Sequence, residues 1–323
     1  MFGKTGAAMR NSPSLRYLAA SLALGAIAVW GSENLFWSAP PDDISPGILI
    51  GSWLIYSFCV AAVLSAVLLT GILGWRALFL GGALLGWLVE GVVVDTSYDA
   101  FPWQLVWTAL AWHALITCLF LGGLCRRGPH LPLGQQIGGL LLFGLLGAWF
   151  AVFWPIERVC LAELGPGAEL GYLVGFGIAV PLANLALDRL GTVTAPPRWL
   201  LWAAPFLLGL LWVVKTALAP SLIRPAVPLL IGATLWAMWR LGSRPAGGTS
   251  PIDFGPPVPL WRHALFLLAP LITSVLAVLG WQMFPAGLAT NVVFALATSS
   301  LALGLWLWSL AAALRPRGKA GRS

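Results

Sequence analysis

A carboxylic acid lies inside one of the most apolar stretches of this chain. Glu90 follows the run Leu-Leu-Gly-Trp-Leu-Val that begins at Leu84, and Gly-Val-Val-Val follows it. An ionisable side chain at the centre of a membrane helix costs about 2.5–3.5 kcal/mol on insertion scales, so a retained one marks a functional site by default. We interpret Glu90 as a general acid or base. The structural alternative is a carboxyl that bonds to a neighbouring helix and fixes packing.

The residues around Glu90 supply further candidates for chemistry. Trp87 lies three residues earlier, which places it on the same helical face and makes it a candidate substrate contact. The loop that follows contributes Asp95, Tyr98 and Asp99, which we predict to assist catalysis. The cluster favours proton transfer, because it combines carboxylates and a phenol in a short segment.

The next apolar stretch carries aromatic residues and a histidine. Trp103 and Trp107 share a helical face, where they would either bind substrate or anchor the helix at the membrane interface. His113 is predicted to be catalytic. At 100° per residue it lies about 80–120° around the helix from the tryptophan stripe, so direct contact with Glu90 is not expected. A neutral histidine bonded to a backbone carbonyl is the alternative interpretation.

Polar residues near the outer side are predicted to close the same pocket: Glu33 and Asn34 end the first span, and three more residues lie farther along the chain. Lys215 is either a cation that extends to the membrane surface or the partner of a carboxylate such as Glu90. Glu157 and Arg158 follow the end of another apolar stretch and would bind substrate or pair with each other. All three are candidate substrate-binding residues.

Composition identifies the elements that must position these residues. The 323 residues are 59% hydrophobic and 9% charged, with a mean hydropathy of +0.88, which excludes a soluble globular domain. About 20 apolar residues cross a bilayer, and ten stretches qualify. They are Tyr17–Phe36, Gly47–Leu73, Ala77–Val94, Phe101–Leu124, Ile137–Trp154, Leu170–Leu187, Trp199–Leu218, Ala226–Trp239, His263–Phe284 and Ala289–Leu314. The sequence predicts an all-α, polytopic transmembrane bundle that forms one domain over residues 1–323, with Ala226–Trp239 as its shortest span.

The basic residues predict the orientation of the bundle. Cytoplasmic loops are enriched in Lys and Arg, and placing the N-terminus inside leaves only Arg158, Lys215 and Arg224 outside. Both termini are therefore predicted to be cytoplasmic, in a plasma membrane of the bacterial inner-membrane type. The cytoplasmic segments are a tail at 1–16, a long loop at 242–259 and a basic tail at 315–323. The net charge of +7 then reflects topology, so no nucleic-acid partner is expected.

Familiar catalytic motifs are missing from the sequence. It has no P-loop, no Gly-x-Ser-x-Gly and no His-Glu-x-x-His. His130 and His263 fall on the cytoplasmic side, away from His113, so no metal site is predicted, and no motif specifies a cofactor. The expected partners are membrane lipids and an apolar small molecule.

Two functions from different classes remain open, together with a third in which the chain is a non-catalytic subunit that assembles with other membrane proteins. The preferred one is an enzyme acting on a lipid-like or isoprenoid-like substrate. Glu90, the loop after it and Phe101-Pro102-Trp103 resemble a segment of membrane carotenoid hydratases. The other is a secondary transporter with Glu90 as its coupling site. Ten spans, with Trp30-Gly31-Ser32 and then Ile44-Ser45-Pro46, are similar to the drug/metabolite transporter layout, which implies two halves related by pseudo-two-fold symmetry.

Overall fold

The structure is a computed structural model, and it describes residues 12–41, 44–158, 161–243 and 250–315. Most of the predicted N-terminal tail, the middle of the predicted 242–259 loop and nearly all of the C-terminal tail lie outside these residues.

Helices make up nearly all of the described chain. In chain order they are α1 (Pro13–Trp37), α2 (Pro46–Thr70), α3 (Gly74–Val93), α4 (Trp103–His130), α5 (Leu133–Ile156), α6 (Gly167–Leu190), α7 (Arg198–Leu218), α8 (Ala226–Leu241), α9 (Leu260–Met283) and α10 (Thr290–Leu314). Among the described residues, nine of them are long and apolar enough to cross a membrane, and α8 is shorter. The prediction of an all-α, multi-helix membrane protein is confirmed. The number of crossings and the side of each terminus stay predictions.

Local sequence explains where several helices begin and end. Pro13 and Pro46 open α1 and α2, where the absent proline N–H would have had no partner. The Oγ of Ser45 accepts a hydrogen bond from the backbone N–H of Ile48 at 3.3 Å and so caps α2. Gly71 ends α2 with a φ of 70°, a conformation that glycine adopts without strain. These signals separate α2 from α3 by a short turn and make the two helices antiparallel neighbours.

Two glycines bring α3 and α4 into close contact. A Cβ atom on Gly86 would lie 2.4 Å from the carbonyl oxygen of Ala109, and one on Gly82 would lie 2.7 Å from the Cα of Ala114. The spacing of Gly82 and Gly86 is the small-xxx-small pattern that lets membrane helices approach backbone to backbone. The α3–α4 pair is accordingly the most extensive helix contact in the fold.

Among the described residues, four helices contain π-helical turns, in which the backbone bonds run from i to i+5. They occupy Trp30–Asn34 in α1, Val89–Val93 in α3, Trp107–Leu121 in α4 and Gly171–Gly175 in α6. Such turns are rare in proteins overall, but many of those that occur lie at functional sites. Here the second and third contain Glu90 and His113, so the two predicted catalytic side chains both project from π-helical backbone.

The two ends of the bundle carry different polar clusters. At one end, which we call the Asp95 end, Asp95 lies in the α3–α4 turn with Lys215 and Arg224. At the opposite Asp188 end, Asp188 accepts from Arg126 Nη2 at 2.8 Å and pairs with His263 Nε2 at 2.7 Å. Both polar clusters connect helices that are distant in sequence, and they stabilise the two ends of the bundle.

The described part of the 242–259 loop is held at the Asp188 end. Residues Ile252–Asp253 form a short strand, β2, which pairs antiparallel with β1 at Thr192–Val193. The backbone N–H of Val258 donates to Asp188 Oδ2 at 3.1 Å. The sequence predicts no strand, because a two-residue pair leaves no hydrophobic periodicity to detect.

Candidate functional site

Glu90 and His113 form a direct pair in the interior of the bundle. The Oε1 atom of Glu90 lies 2.8 Å from Nε2 of His113. The His113 side chain is 2% exposed and that of Glu90 is 12% exposed, so Glu90 is the more exposed member of a largely buried pair. The sequence prediction that these residues would not touch is wrong.

Two features of the helices explain this contact. The prediction assumed that Glu90 faces the side of α4 that carries Trp103 and Trp107, whereas those two side chains line a separate cavity and His113 lies on the side that faces Glu90. Helical side chains also lean toward the N-terminus of their own helix. Because α3 and α4 are antiparallel, Glu90 and His113 lean toward each other along the helix axes.

The other nitrogen of His113 is held by a hydroxyl from α1. Nδ1 lies 2.9 Å from Ser32 Oγ, and Ser32 Oγ donates to Thr117 Oγ1 at 3.2 Å. Since the Ser32 proton is directed to Thr117, Ser32 accepts the N–H of His113 Nδ1. Nε2 is then the free acceptor of a neutral imidazole, so Glu90 and His113 share one proton. The sequence reasoning missed Ser32 as a functional residue, although a polar residue within an apolar span was a usable signal.

Two threonines approach the Glu90 carboxyl on its remaining sides. The Thr96 hydroxyl donates to Oε2, and the Thr108 hydroxyl lies close enough to interact with the carboxyl. Thr108 also donates to the carbonyl of Gln104 at 2.8 Å. The carboxyl is therefore surrounded by hydroxyl groups and one imidazole, a set that can redistribute a proton without a metal ion.

A second carboxyl lies beside the pair. Glu33 Oε1 accepts a hydrogen bond of 2.6 Å from the Tyr56 hydroxyl, and the Tyr56 ring centroid is 6.0 Å from that of His113. Glu33 follows Ser32 in α1, so α1 contributes to both polar contacts. Of these two residues, Glu33 is predicted from the sequence as a group that closes the pocket, whereas Tyr56 is not.

Asp95, Lys215 and Arg224 form a separate ion cluster in the turn after α3. Asp95 Oδ2 lies 2.9 Å from Lys215 Nζ and 3.0 Å from Arg224 Nη2. Lys215 thus pairs with Asp95 and not with Glu90, which resolves the two options left by the sequence. Burial raises the pKa of Asp95, but the hydrogen bonds and charges of Arg224 and Lys215 outweigh it, so the pKa lies below its usual value.

Tyr98 belongs to the same turn and packs as a structural residue. Its hydroxyl donates to the carbonyl of Gly91 at 2.9 Å and accepts from Trp212 Nε1 at 3.3 Å. The Arg224 guanidinium lies 4.9 Å from the centre of its ring. Partial burial raises the pKa of this phenol, the opposite of what a ready proton donor needs. Asp99, the remaining candidate of this loop, is exposed.

The predicted aromatic residues divide between the core and a cavity. Trp87 is fully buried, donates to the carbonyl of Leu105 at 3.3 Å and packs edge-on against Trp306. Trp103 and Trp107 instead line a cavity of about 400 Å³ near the Asp95 end, together with Glu157. The six predicted substrate-binding residues therefore do not form one pocket with Glu90.

Arg158, predicted as another substrate contact, lies near the end of α5. Its Nη2 donates to the carbonyl of Pro40 at 2.8 Å, which ties the turn after α1 to the turn after α5. Within the described ranges, no group of three or more His, Cys, Asp or Glu residues is placed to hold a metal ion.

The chain has no match among protein-family models, curated proteins or solved structures in the comparisons made with each. The function is therefore inferred from the chemistry of the side chains. A carboxyl, an imidazole and a hydroxyl in series, buried among apolar helices, can hold and transfer a single proton.

Proposed function

We propose that this protein is a membrane enzyme that performs acid–base chemistry on an apolar substrate, with Glu90 as the group that exchanges a proton with that substrate. The main support for this proposal is the 2.8 Å contact between Glu90 Oε1 and His113 Nε2, in which Glu90 is the more exposed residue. His113 is the positioning residue that receives or returns the proton, and Ser32 fixes its tautomer.

The chemistry of the proposed step follows from the shared proton. When Glu90 protonates the substrate, its carboxylate is stabilised by the hydroxyl of Thr96, which donates to Oε2. When Glu90 removes a proton, the imidazole of His113 can take it up through Nε2 and remain bonded to Ser32. General acid–base catalysis of this kind contributes about 10²–10⁴-fold to a rate. The polar groups are few and the surrounding helices are apolar, which suits a lipid-like or isoprenoid-like molecule.

Helix packing favours the enzyme over the transporter. A ten-helix transporter with inverted halves would repeat the contacts of its first half in its second. The α1–α2 and α3–α4 pairs are extensive, whereas α6–α7 and α8–α9 share no comparable interface among the described residues.

We further propose that the bundle lies in a bacterial-type inner membrane with both termini in the cytoplasm, which places the Asp95 end outside.

Lipid profiling of whole cells tests this function. We expect extracts of cells producing the wild-type chain to contain an apolar product that falls at least tenfold with Glu90→Gln and with His113→Asn. Asp99→Asn is the control, because Asp99 is exposed and outside the proton-sharing pair. Identical extracts from wild type and Glu90→Gln would overturn the proposal.

Proteoliposomes loaded with a pH-sensitive dye supply the second measurement, since a Glu90-dependent proton flux would favour the transporter.

A further inference from the structure

The aromatic cavity near the Asp95 end has the size and lining of a ligand site. Its volume of about 400 Å³ falls within the range of about 300–1,000 Å³ that is usual for small-molecule pockets. Seven aromatic side chains from three helices and their ends surround it: Phe36, Trp37, Trp103, Trp107, Phe150, Phe153 and Trp154. Rings at this density offer flat, rigid apolar surface, which favours a ligand that is itself planar or ring-containing.

One polar side chain in the cavity wall lacks a partner. Gln104 lines the cavity, and its Oε1 atom is buried without a hydrogen bond in the described structure. A buried amide without a partner costs about 1–3 kcal/mol, so such a group calls for an explanation. A ligand hydroxyl supplies one, because it can donate to the amide oxygen or accept from the amide nitrogen, whichever faces the cavity.

We propose that this cavity binds an apolar alcohol, with its hydroxyl on Gln104 and its hydrocarbon body against Trp103 and Trp107. The inference goes beyond the proposed function, because the residues that line the cavity include neither Glu90 nor His113. Asn291 and Glu157 lie at the same cavity and provide additional polar contacts for the hydroxyl end.

Retinol tests the proposal, because it absorbs where tryptophan emits and its binding quenches tryptophan fluorescence by energy transfer. The comparison probe is deoxyretinol, the hydrocarbon with the same ring and polyene but no hydroxyl. We expect the purified full chain in detergent to show saturable binding of retinol that is about tenfold tighter than that of deoxyretinol, the effect of one satisfied buried hydrogen bond. Equal affinity for the two probes would overturn the proposal.

Two variants locate the effect. Gln104→Leu should remove the preference for retinol, whereas Gln135→Leu, at an exposed glutamine of α5, should keep it. A preference that survives Gln104→Leu would contradict the assignment of the hydroxyl to Gln104. Glu90→Gln separates this inference from the proposed function, because it should leave probe binding unchanged while abolishing the lipid product. Selective retinol binding without any Glu90-dependent lipid product would support the cavity proposal and contradict the proposed enzymatic function.

Discussion

His113 Nε2 lies 2.8 Å from Glu90 Oε1 although the two residues belong to different helices and are separated by the whole α3–α4 turn. The contact fills the hydrogen-bonding capacity of both imidazole nitrogens, since Nδ1 is bonded to Ser32. Removing one member of the pair would leave the other in an apolar environment without its main partner. The stability of the fold and the proposed chemistry are therefore coupled at this position.

His113→Ala should lower the free energy of unfolding by about 1–3 kcal/mol, because it leaves the largely buried Glu90 carboxyl without its imidazole partner. The double variant Glu90→Gln with His113→Ala should cost less than the sum of the two single changes, since the two residues act as one unit. Thermal unfolding in detergent measures each variant. His130→Asn, at an exposed histidine, is the control and should have little effect. Strictly additive effects would mean that the two side chains do not interact.

Sequence reasoning could find Glu90 and His113 but could not place them together. An isolated acid in an apolar run is detectable by composition alone, because it is costly there. The contact depends on which side of α4 packs against α3, and the sequence of Trp107–Leu121 is apolar all round, so hydrophobic periodicity does not identify that side. The partner of Lys215 was equally hidden, since Asp95 and Lys215 are brought together only by the packing of α7 on the end of α3.

Gly86→Ala should strongly destabilise the bundle and separate Glu90 from His113. The added methyl would lie 2.4 Å from the Ala109 carbonyl oxygen, a backbone atom that cannot move without shifting α4. Overpacking of this kind costs about 1–3 kcal/mol or more. Gly138→Ala is the matched control, because nothing lies within 4 Å of its added Cβ. We expect a lower melting temperature for Gly86→Ala only; equal melting temperatures would show that α3 and α4 are not in backbone contact.

Acid should destabilise the turn after α3 through Asp95. Its pKa in the folded chain lies below its usual value, because the hydrogen bonds and charges of Arg224 and Lys215 outweigh the effect of burial. The stabilisation is then fully present above the usual carboxyl pKa of about 4 and is lost as the pH falls through the lower, folded value. Asp95→Asn should reduce the melting temperature at neutral pH and flatten its decrease with acid. Asp99→Asn, at the exposed neighbour, should retain the wild-type profile, and an acid response unchanged by Asp95→Asn would refute the ion cluster.

Glu169 is expected to be a destabilising residue in the folded chain. It lies in the first turn of α6, its side chain is fully buried, and neither carboxyl oxygen has a hydrogen-bond partner in the described structure. A carboxylate at a helix N-terminus gains about 0.3–1 kcal/mol from the helix dipole. That gain is smaller than the cost of several kcal/mol for removing an ion from water.

Glu169→Gln should therefore raise the melting temperature by a few degrees or leave it unchanged, since it keeps the shape and removes the cost of burying an ionisable carboxyl. Glu163→Gln provides the comparison at an exposed acid, where little change is expected. A clear loss of stability with Glu169→Gln, beyond that of Glu163→Gln, would show that the carboxyl is held by a charged group and that its burial stabilises α6. The direction of the change in melting temperature thus decides whether Glu169 destabilises or stabilises the fold.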